Sequence, residues 1–161
     1  MDFKETPTIE REGKNRERLL SLEKEGKYVF HGSPKRITIL KPRQAYNYSK
    51  EAENMEKDGE PAVFATPYAD VAIFRALTDT RGVRGNSRSQ FEMDSDKLHF
   101  SATKNILEAA KTKVGLVYVL DKHKFQDFEG MQCRSLETNK PIEVIEVTVD
   151  DLPQNIQIIE K

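Results

Sequence analysis

The chain has a single cysteine and almost no net charge, and each of these two features excludes some classes of protein. Cys133 cannot form a disulfide within the chain, which is typical of proteins from reducing compartments. Lys and Arg number 26 against 27 Asp and Glu, so the formal net charge is -1. The chain as a whole therefore exerts no general attraction on nucleic acid or on an anionic membrane, although a local basic patch is compatible with this balance.

Long apolar runs are also missing. None approaches the ~20 residues that a membrane-spanning helix needs, and the segment MDFKETPTIEREGKNRE lacks the apolar core of a signal peptide. Hydrophobic residues make up 37% of the chain and charged residues 33%, which indicates a charged surface around a small core. We therefore expect a cytoplasmic protein with no membrane partner.

The length of 161 residues suits one domain with one core. Residues 1–27 are predicted to form an N-terminal unit whose helix, Glu12–Glu25, has leucines along one side and ends at Gly26. This helix is expected to pack on a domain formed by residues 28–161. No repeat or linker divides the chain further.

Secondary structure is predicted from apolar periodicity and from β-branched and aromatic content. Two further helices are expected over Thr66–Leu77, with Thr66 as the cap and Pro67 in the first turn, and over Ala102–Lys113. The tract Thr80–Asp96 is polar and contains glycines, so a mobile loop is predicted there. The predicted strands are Tyr28–His31, Ile37–Leu40, Ala62–Thr66, Gly115–Leu120, Met131–Glu137, Ile142–Val149 and Ile156–Ile159.

The segment KYVFHGSPKRITILKPRQA carries the most specific polar motif of the chain, because its first predicted strand runs directly into His31, Gly32 and Ser33. A glycine lets the amide of a ligand approach the backbone closely, and an imidazole beside a hydroxyl can hold ribose oxygens. A histidine at the end of a strand is also commonly a hydrogen-bonded turn residue. The residues alone do not choose between these two roles.

Three motifs in succession resemble the ADP-ribosyltransferase superfamily, in the branch with a His, Tyr, Glu signature that includes diphtheria toxin and the poly(ADP-ribose) polymerases. The resemblance extends, with gaps, from Tyr28 to Leu152. Its motifs are His31-Gly32-Ser33 at the end of the first strand, Val63-Phe64-Ala65 with Phe74 on the helix that follows, and Met131-Gln132-Cys133-Arg134-Ser135.

The resemblance implies an α+β fold with a split mixed and antiparallel β core flanked by helices. The implied function is an NAD-dependent mono-ADP-ribosyltransferase that uses NAD as its substrate and no metal. By the same resemblance, His31 and Ser33 hold the nicotinamide ribose and the backbone of Gly32 holds the carboxamide. Phe74 stacks on the nicotinamide ring.

Two other cofactor contacts follow from the resemblance. Phe64 belongs to the second motif, where its ring takes the place of the family's tyrosine, keeping the stacking face while losing a hydroxyl. Arg43 is the expected diphosphate contact, because family members often place a basic residue soon after the first strand. Phe74 considered by itself is equally typical of a core residue, since an aromatic at helical spacing usually faces inward.

The third motif departs from the family pattern because Gln132 stands where a glutamate is expected. Glutamine keeps hydrogen bonding but removes the negative charge that stabilises an oxocarbenium-like ribose, so catalysis should be weakened. Glu129 or Glu137 could supply the charge if the register differs, and Glu137 joins His31 and Gln132 as a candidate catalytic residue. Strand alternation places both glutamates on the face opposite Gln132, and solvated surface is the default for each.

Several functions stay open at this point. The transferase would act on an unknown acceptor, which could be a protein, a nucleic acid or a small molecule, and an antitoxin or regulatory partner is compatible with it. The alternative is a non-catalytic module of the same fold that binds NAD, ADP-ribose or another nucleotide. An unrelated α+β protein is a third possibility. The tRNA 2'-phosphotransferases share the fold and also consume NAD, but their set of arginines and a histidine is not placed in this sequence.

The remaining polar residues give weaker indications. Arg81, Arg84 and Arg88 in the predicted loop could contact a pyrophosphate or a nucleic-acid backbone, or could simply be solvated. His99 and His123 lack the spacing to cysteines or acids that zinc sites show, so no metal is expected.

Overall fold

The computed structural model describes residues 13–49 and 54–160, which form a mixed α+β structure. Short 3-10 turns cover Lys122–Lys124 and Val149–Asp151. The helices are α1 (Lys14–Glu25), α2 (Ala69–Leu77) and α3 (Lys104–Ala110), and the strands are β1 (Tyr28–Ser33), β2 (Arg43–Ser49), β3 (Asn54–Ala65), β4 (Ser89–Asp94), β5 (Lys97–Thr103), β6 (Gly115–Asp121), β7 (Gln126–Asp127), β8 (Cys133–Ser135), β9 (Glu143–Val147) and β10 (Gln157–Ile159).

The strands form three small sheets with the orders β1-β6-β9, β2-β3-β8-β7 and β10-β5-β4. All neighbours are antiparallel except β10 and β5, which are parallel. The first two sheets meet at a single bridge, in which the backbones of Phe30 and Thr66 exchange hydrogen bonds of 2.8 Å. Past this bridge β1 and β3 diverge, and the gap between them is where the candidate site lies.

Helix α2 lies very close to the first sheet because glycines face it. A Cβ built on Gly32 of β1 would lie 1.9 Å from the carbonyl oxygen of Ala72, and one built on Gly115 of β6 would lie 2.7 Å from the Cβ of Ala76. Real Cβ atoms do not approach so closely, so both positions require glycine in this packing. The two alanines are four residues apart and therefore share one face of α2.

Helix α1 is joined to α2 by buried leucines and by polar contacts. Leu19 is fully buried in the core beside α2. Arg16 forms a two-pronged ion pair with Asp70 at 2.7 and 2.9 Å, and a carboxylate oxygen of Glu23 accepts a 2.8 Å hydrogen bond from the backbone N–H of Ala69. The carboxylate of α1 thus satisfies a free donor at the N-terminus of α2, and burial raises the pKa of Glu23.

The predicted strand Ile37–Leu40 is wrong. In this segment Leu40 forms one isolated bridge with Asn139, and the residues before it make a bend. The reason is the buried Tyr118, whose hydroxyl donates to the carbonyl of Lys35 at 2.7 Å and accepts from the N–H of Ile37 at 2.6 Å. These two bonds hold the chain in a turn, which β-branched content alone does not reveal.

The predicted loop Thr80–Asp96 is also corrected, because its second half is strand β4, paired antiparallel with β5. The predicted helix Ala102–Lys113 begins only at Lys104, since the residues before it complete β5. Helix α2 begins at Ala69 rather than at Thr66, whose hydroxyl instead accepts from the N–H of Tyr68 in the preceding turn. Glu12, the predicted first residue of α1, lies outside the described residues.

Candidate functional site

A narrow slot opens where β1 and β3 diverge, with a cavity volume of about 50 Å³. It adjoins a wider cleft of about 680 Å³, which lies within the size range of small-ligand sites. His31, Gly32, Arg75 and Phe91 line both spaces and form the passage between them. The slot is completed by Phe30, Phe64, Ala65, Thr66, Val71, Met131 and Gln132.

His31 lies at the centre of this site, half-buried on β1. Its Nδ1 is 2.7 Å from the carbonyl oxygen of Phe64, and a carbonyl can only accept, so Nδ1 carries the proton in the neutral ring. The other ring nitrogen, Nε2, is then an acceptor. Burial lowers the pKa of His31, and the positive charges of Arg75 and Arg43 lower it further. The imidazole is therefore neutral at pH 7 and fixed in one tautomer.

Tyr118 packs beside His31, because the two residues are register partners on β6 and β1. Their ring centroids are 6.1 Å apart, and Tyr118 is fully buried. The same tyrosine holds the turn that follows Ser33 through its bonds to Lys35 and Ile37. The position of His31 is thus set from one side by Tyr118 and from the other by Phe64.

Gln132 is brought to the slot from the turn just before β8 and is half-buried there. Strand β8 pairs with β3, so the third sequence motif lies beside the second one. The two glutamates that were alternatives to Gln132 are both exposed and neither lines the slot or the cleft. Glu129 lies in the turn before β8, and the N–H of Glu137 bonds to the hydroxyl of Ser135 beyond its end.

Arg75 is the cationic residue that lines both the slot and the cleft. Arg75 is an exposed residue of α2 that lines the passage, and its Cζ atom is 6.0 Å from the ring centroid of Phe91. Arg75 forms no ion pair with a carboxylate among the residues whose side chains the structure describes. Burial lowers its pKa, but a guanidinium stays protonated at neutral pH. Arg75 therefore offers a positive charge to an anionic ligand.

The predicted stacking role of Phe74 has no support in its placement. Its side chain is 1% exposed and its ring packs at 4.9 Å, centroid to centroid, on Phe100. Phe74 borders the cleft but belongs to the core, as its helical spacing also allowed. Phe91 on β4 is half-buried and lines both spaces, so a ligand can reach its ring.

Gly32 and Ser33 have structural explanations of their own. Gly32 is required by the close approach of Ala72, whatever else its backbone contacts. The hydroxyl of Ser33 accepts from the N–H of Lys35 at 3.1 Å, which stabilises the turn. Both residues nonetheless line the wide cleft.

Phe64 and Arg43 flank the site differently. The ring of Phe64 lines the slot and packs against Phe128 with centroids 5.6 Å apart. Arg43 begins β2 and is exposed outside both spaces, although it is near enough for its charge to lower the pKa of His31. The predicted diphosphate contact is thus beside the site, whereas Arg75 lines both spaces and Arg81 lines the cleft.

Other reactive groups are placed away from the site or are inert. Burial raises the pKa of Cys133 to about 12, so its thiol is not a nucleophile at neutral pH.

Within residues 13–49 and 54–160, no cluster of His, Cys, Asp or Glu is arranged to hold a metal ion. None of the described helices is both long enough and apolar enough to cross a membrane.

Arg75 and Phe91 were not identified from the sequence as site residues, and Met131 was named only within the third motif. Arg75 is the one basic residue of the mostly apolar helix ADVAIFRAL, whose other charge is Asp70 in its first turn, and a single basic residue in such a helix is a usable signal. Phe91 and Met93 alternate with polar residues in SQFEMD, a strand pattern hidden inside a polar tract. Met131 carries no comparable signal.

Comparisons of the chain with models of known protein families, with curated proteins and with solved structures found no match. The candidate site therefore rests on its own geometry.

Proposed function

We propose that the slot and cleft bind NAD and that the protein is a mono-ADP-ribosyltransferase of the His, Tyr, Glu type with a substituted acid. The observation that carries this proposal is the convergence of His31, Phe64 and Gln132 at one slot. These residues come from three separate sequence motifs, and the resemblance expects each of them at the nicotinamide end of NAD.

The properties of His31 suit this role. A neutral imidazole whose Nδ1–H is held by a backbone carbonyl presents Nε2 as an acceptor for a ribose hydroxyl. Burial lowers the pKa of His31 from its usual 6.5, which keeps that acceptor available at neutral pH. Phe91 offers an aromatic face at the passage, and Arg75 offers a positive charge for phosphate oxygens in the wider cleft.

The slot as it stands has room for only a few water molecules. Entry of a pyridine ring requires the half-buried side chain of Met131 or Phe91 to move aside. Methionine is unbranched and adapts its rotamers at low cost, so Met131 is the expected gate. The bound nicotinamide would then lie between the His31 and Gln132 walls.

In the proposed reaction the bond between nicotinamide and C1 of the ribose breaks, and nicotinamide leaves with the bonding electron pair. An acceptor nucleophile forms the new bond at C1 and releases its proton to solvent. Gln132 orients the ribose through its amide but supplies no negative charge to the developing oxocarbenium. Slow turnover and transfer of one unit are the expected consequences.

A non-catalytic NAD-binding or ADP-ribose-binding module is the second candidate, and one observation favours it. Among the described residues no Asp or Glu lines the slot, and the one acid of the cleft, Asp79, is engaged by Arg81 at 2.6 to 3.0 Å. Without a carboxylate at the ribose, binding could persist while chemistry is lost.

Calorimetric titration with NAD, run beside an assay for released nicotinamide, tests both candidates. Binding with release supports the transferase, and binding without release supports the module. His31→Ala should weaken NAD binding by roughly ten- to a hundredfold, the effect of one or two lost hydrogen bonds. His123→Ala is the matched control, because its side chain is 87% exposed and lines neither the slot nor the cleft.

Gln132→Glu tests the substituted acid directly. The change restores the family's carboxylate at the slot and should raise nicotinamide release at least about tenfold, because a fixed charge near the reacting centre is a large catalytic term. The rate is measured with saturating NAD. An unchanged rate in a folded variant that still binds NAD would show that the charge is not what limits turnover.

A further inference from the structure

A basic groove with a volume of about 710 Å³ adjoins the cleft and shares none of the residues that line the slot. It runs between the segment after α2 and helix α3, and Arg81 lines both this groove and the cleft. Its cationic side chains are Arg81, Arg84, Lys104 and Lys113.

The charge of the groove is only partly neutralised. Arg81 is paired with Asp79, and the acid that lines the groove, Glu108, is paired with Lys111. Lys113 donates to the backbone carbonyl of Asp79, and its charge also helps to lower the pKa of the Asp79 carboxyl. Arg84 and Lys104 form no ion pair with any carboxylate among the described side chains, and both are exposed. The groove therefore carries an excess of positive charge in a chain whose net charge is -1.

The two segments that carry Arg84 and Lys104 are fastened to each other. Asn105, next to Lys104, donates from Nδ2 to the carbonyls of Arg84 at 2.9 Å and Asn86 at 3.0 Å. Its Oδ1 accepts from the hydroxyl of Thr103 at 2.7 Å, so the orientation of the amide is defined. The cations are thus held on a preformed surface rather than on a loose tail.

We propose that this groove binds the phosphate backbone of a single-stranded nucleic acid. The apolar side chains that line it are small, Val83 and Ala109, and they offer no pocket of the kind that anchors a peptide. Guanidinium and ammonium groups without apolar anchors are sufficient for a backbone of phosphates, which binds through charge neutralisation.

A single strand fits better than a duplex because of where the groove leads. It continues at Arg81 into the cleft, where the accessible ring of Phe91 can stack on an unpaired base. Bases within a duplex cannot reach such a ring. The inference concerns binding alone and does not rest on the proposed NAD chemistry.

Fluorescence anisotropy with a labelled 20-nucleotide strand of mixed sequence, in DNA and RNA forms and without NAD, tests this assignment. Neutralisation of about three phosphates predicts a slope near -2 in a plot of log K against log salt concentration. The double variant Arg84→Ala/Lys104→Ala should bind roughly tenfold more weakly and lower the steepness of the slope by about 1.4. A difference between the DNA and RNA forms would identify which backbone the groove prefers.

Lys24→Ala/Lys140→Ala is the matched control, since it removes the same total charge from exposed positions outside the groove. It should leave affinity and slope close to those of the unchanged protein, and the thermal midpoint of each variant verifies folding. Three outcomes would overturn the proposal: no binding at 50 mM salt, equal losses in the two double variants, or displacement of the strand by polyglutamate as effectively as by unlabelled strand. Duplex DNA that binds as tightly as the single strand would overturn the choice of a single strand.

Discussion

Replacement of Gly32 by alanine should destabilise the fold, because the new methyl group would meet the backbone of α2. Its Cβ would lie 1.9 Å from the carbonyl oxygen of Ala72 and 2.8 Å from the carbonyl carbon. Overpacking of a core typically costs 1 to 3 kcal/mol. Here a helix backbone must shift rather than a flexible side chain, so we expect a loss of about 3 kcal/mol and a fall in Tm of roughly 6 to 12 °C for a chain of this length.

Urea unfolding followed by circular dichroism measures the loss directly, with Gly130→Ala as the control. Gly130 has a φ of +60° and open space around its Cβ position, so alanine there meets only the left-handed strain of about 1 to 2 kcal/mol. A Gly32→Ala protein as stable as the unchanged chain, or no less stable than Gly130→Ala, would refute the close approach of β1 and α2. Gly32 would then be explained by ligand contact alone.

Two predictions concern proton binding. The pKa of His31 should lie below 6.5 in an NMR titration of its imidazole, because burial disfavours the charged ring. The contribution of His31 to folding stability is therefore present above pH 6.5 and lost as pH falls through the folded-state pKa. An NMR titration midpoint above 6.5 would contradict the buried environment of the ring. The pKa of Glu23 is raised by burial, so the native state holds that proton more tightly than the unfolded chain does, and the associated stability is lost as pH rises through the folded-state pKa. Glu23→Gln keeps an acceptor for the N–H of Ala69. In urea unfolding, this variant should therefore gain stability relative to the unchanged protein as the pH rises from 4 to 7. A relative loss of stability would show that the negative charge of Glu23 itself stabilises α2.

Elements that are apolar and locally regular could be predicted from the sequence. Strand β6 reads GLVYVLD and is buried along nearly its whole length, so its β-branched run predicted it directly. Strand β1 was predicted for the same reason. The predicted strand Ile37–Leu40 has similar β-branched content but does not form. The hydroxyl of Tyr118, a residue more than 80 positions away in sequence, bonds to the N–H of Ile37 instead.

The candidate site was predicted in part. The three motifs led to His31, Phe64 and Gln132, and the fold places all three at one slot through the pairing of β8 with β3. Phe74 and Arg75 show why the rest could not be predicted. They are adjacent on α2 and so point about 100° apart, and only the packing against β5 decides that the phenylalanine enters the core while the arginine reaches the passage.

The most direct test of the account is a crystal structure of the protein soaked with NAD. The account predicts electron density for the pyridine ring in the slot, with a ribose hydroxyl within hydrogen-bond distance of His31 Nε2 and phosphate oxygens near Arg75. Density for NAD bound elsewhere, or an empty slot at a concentration that saturates binding in solution, would contradict it.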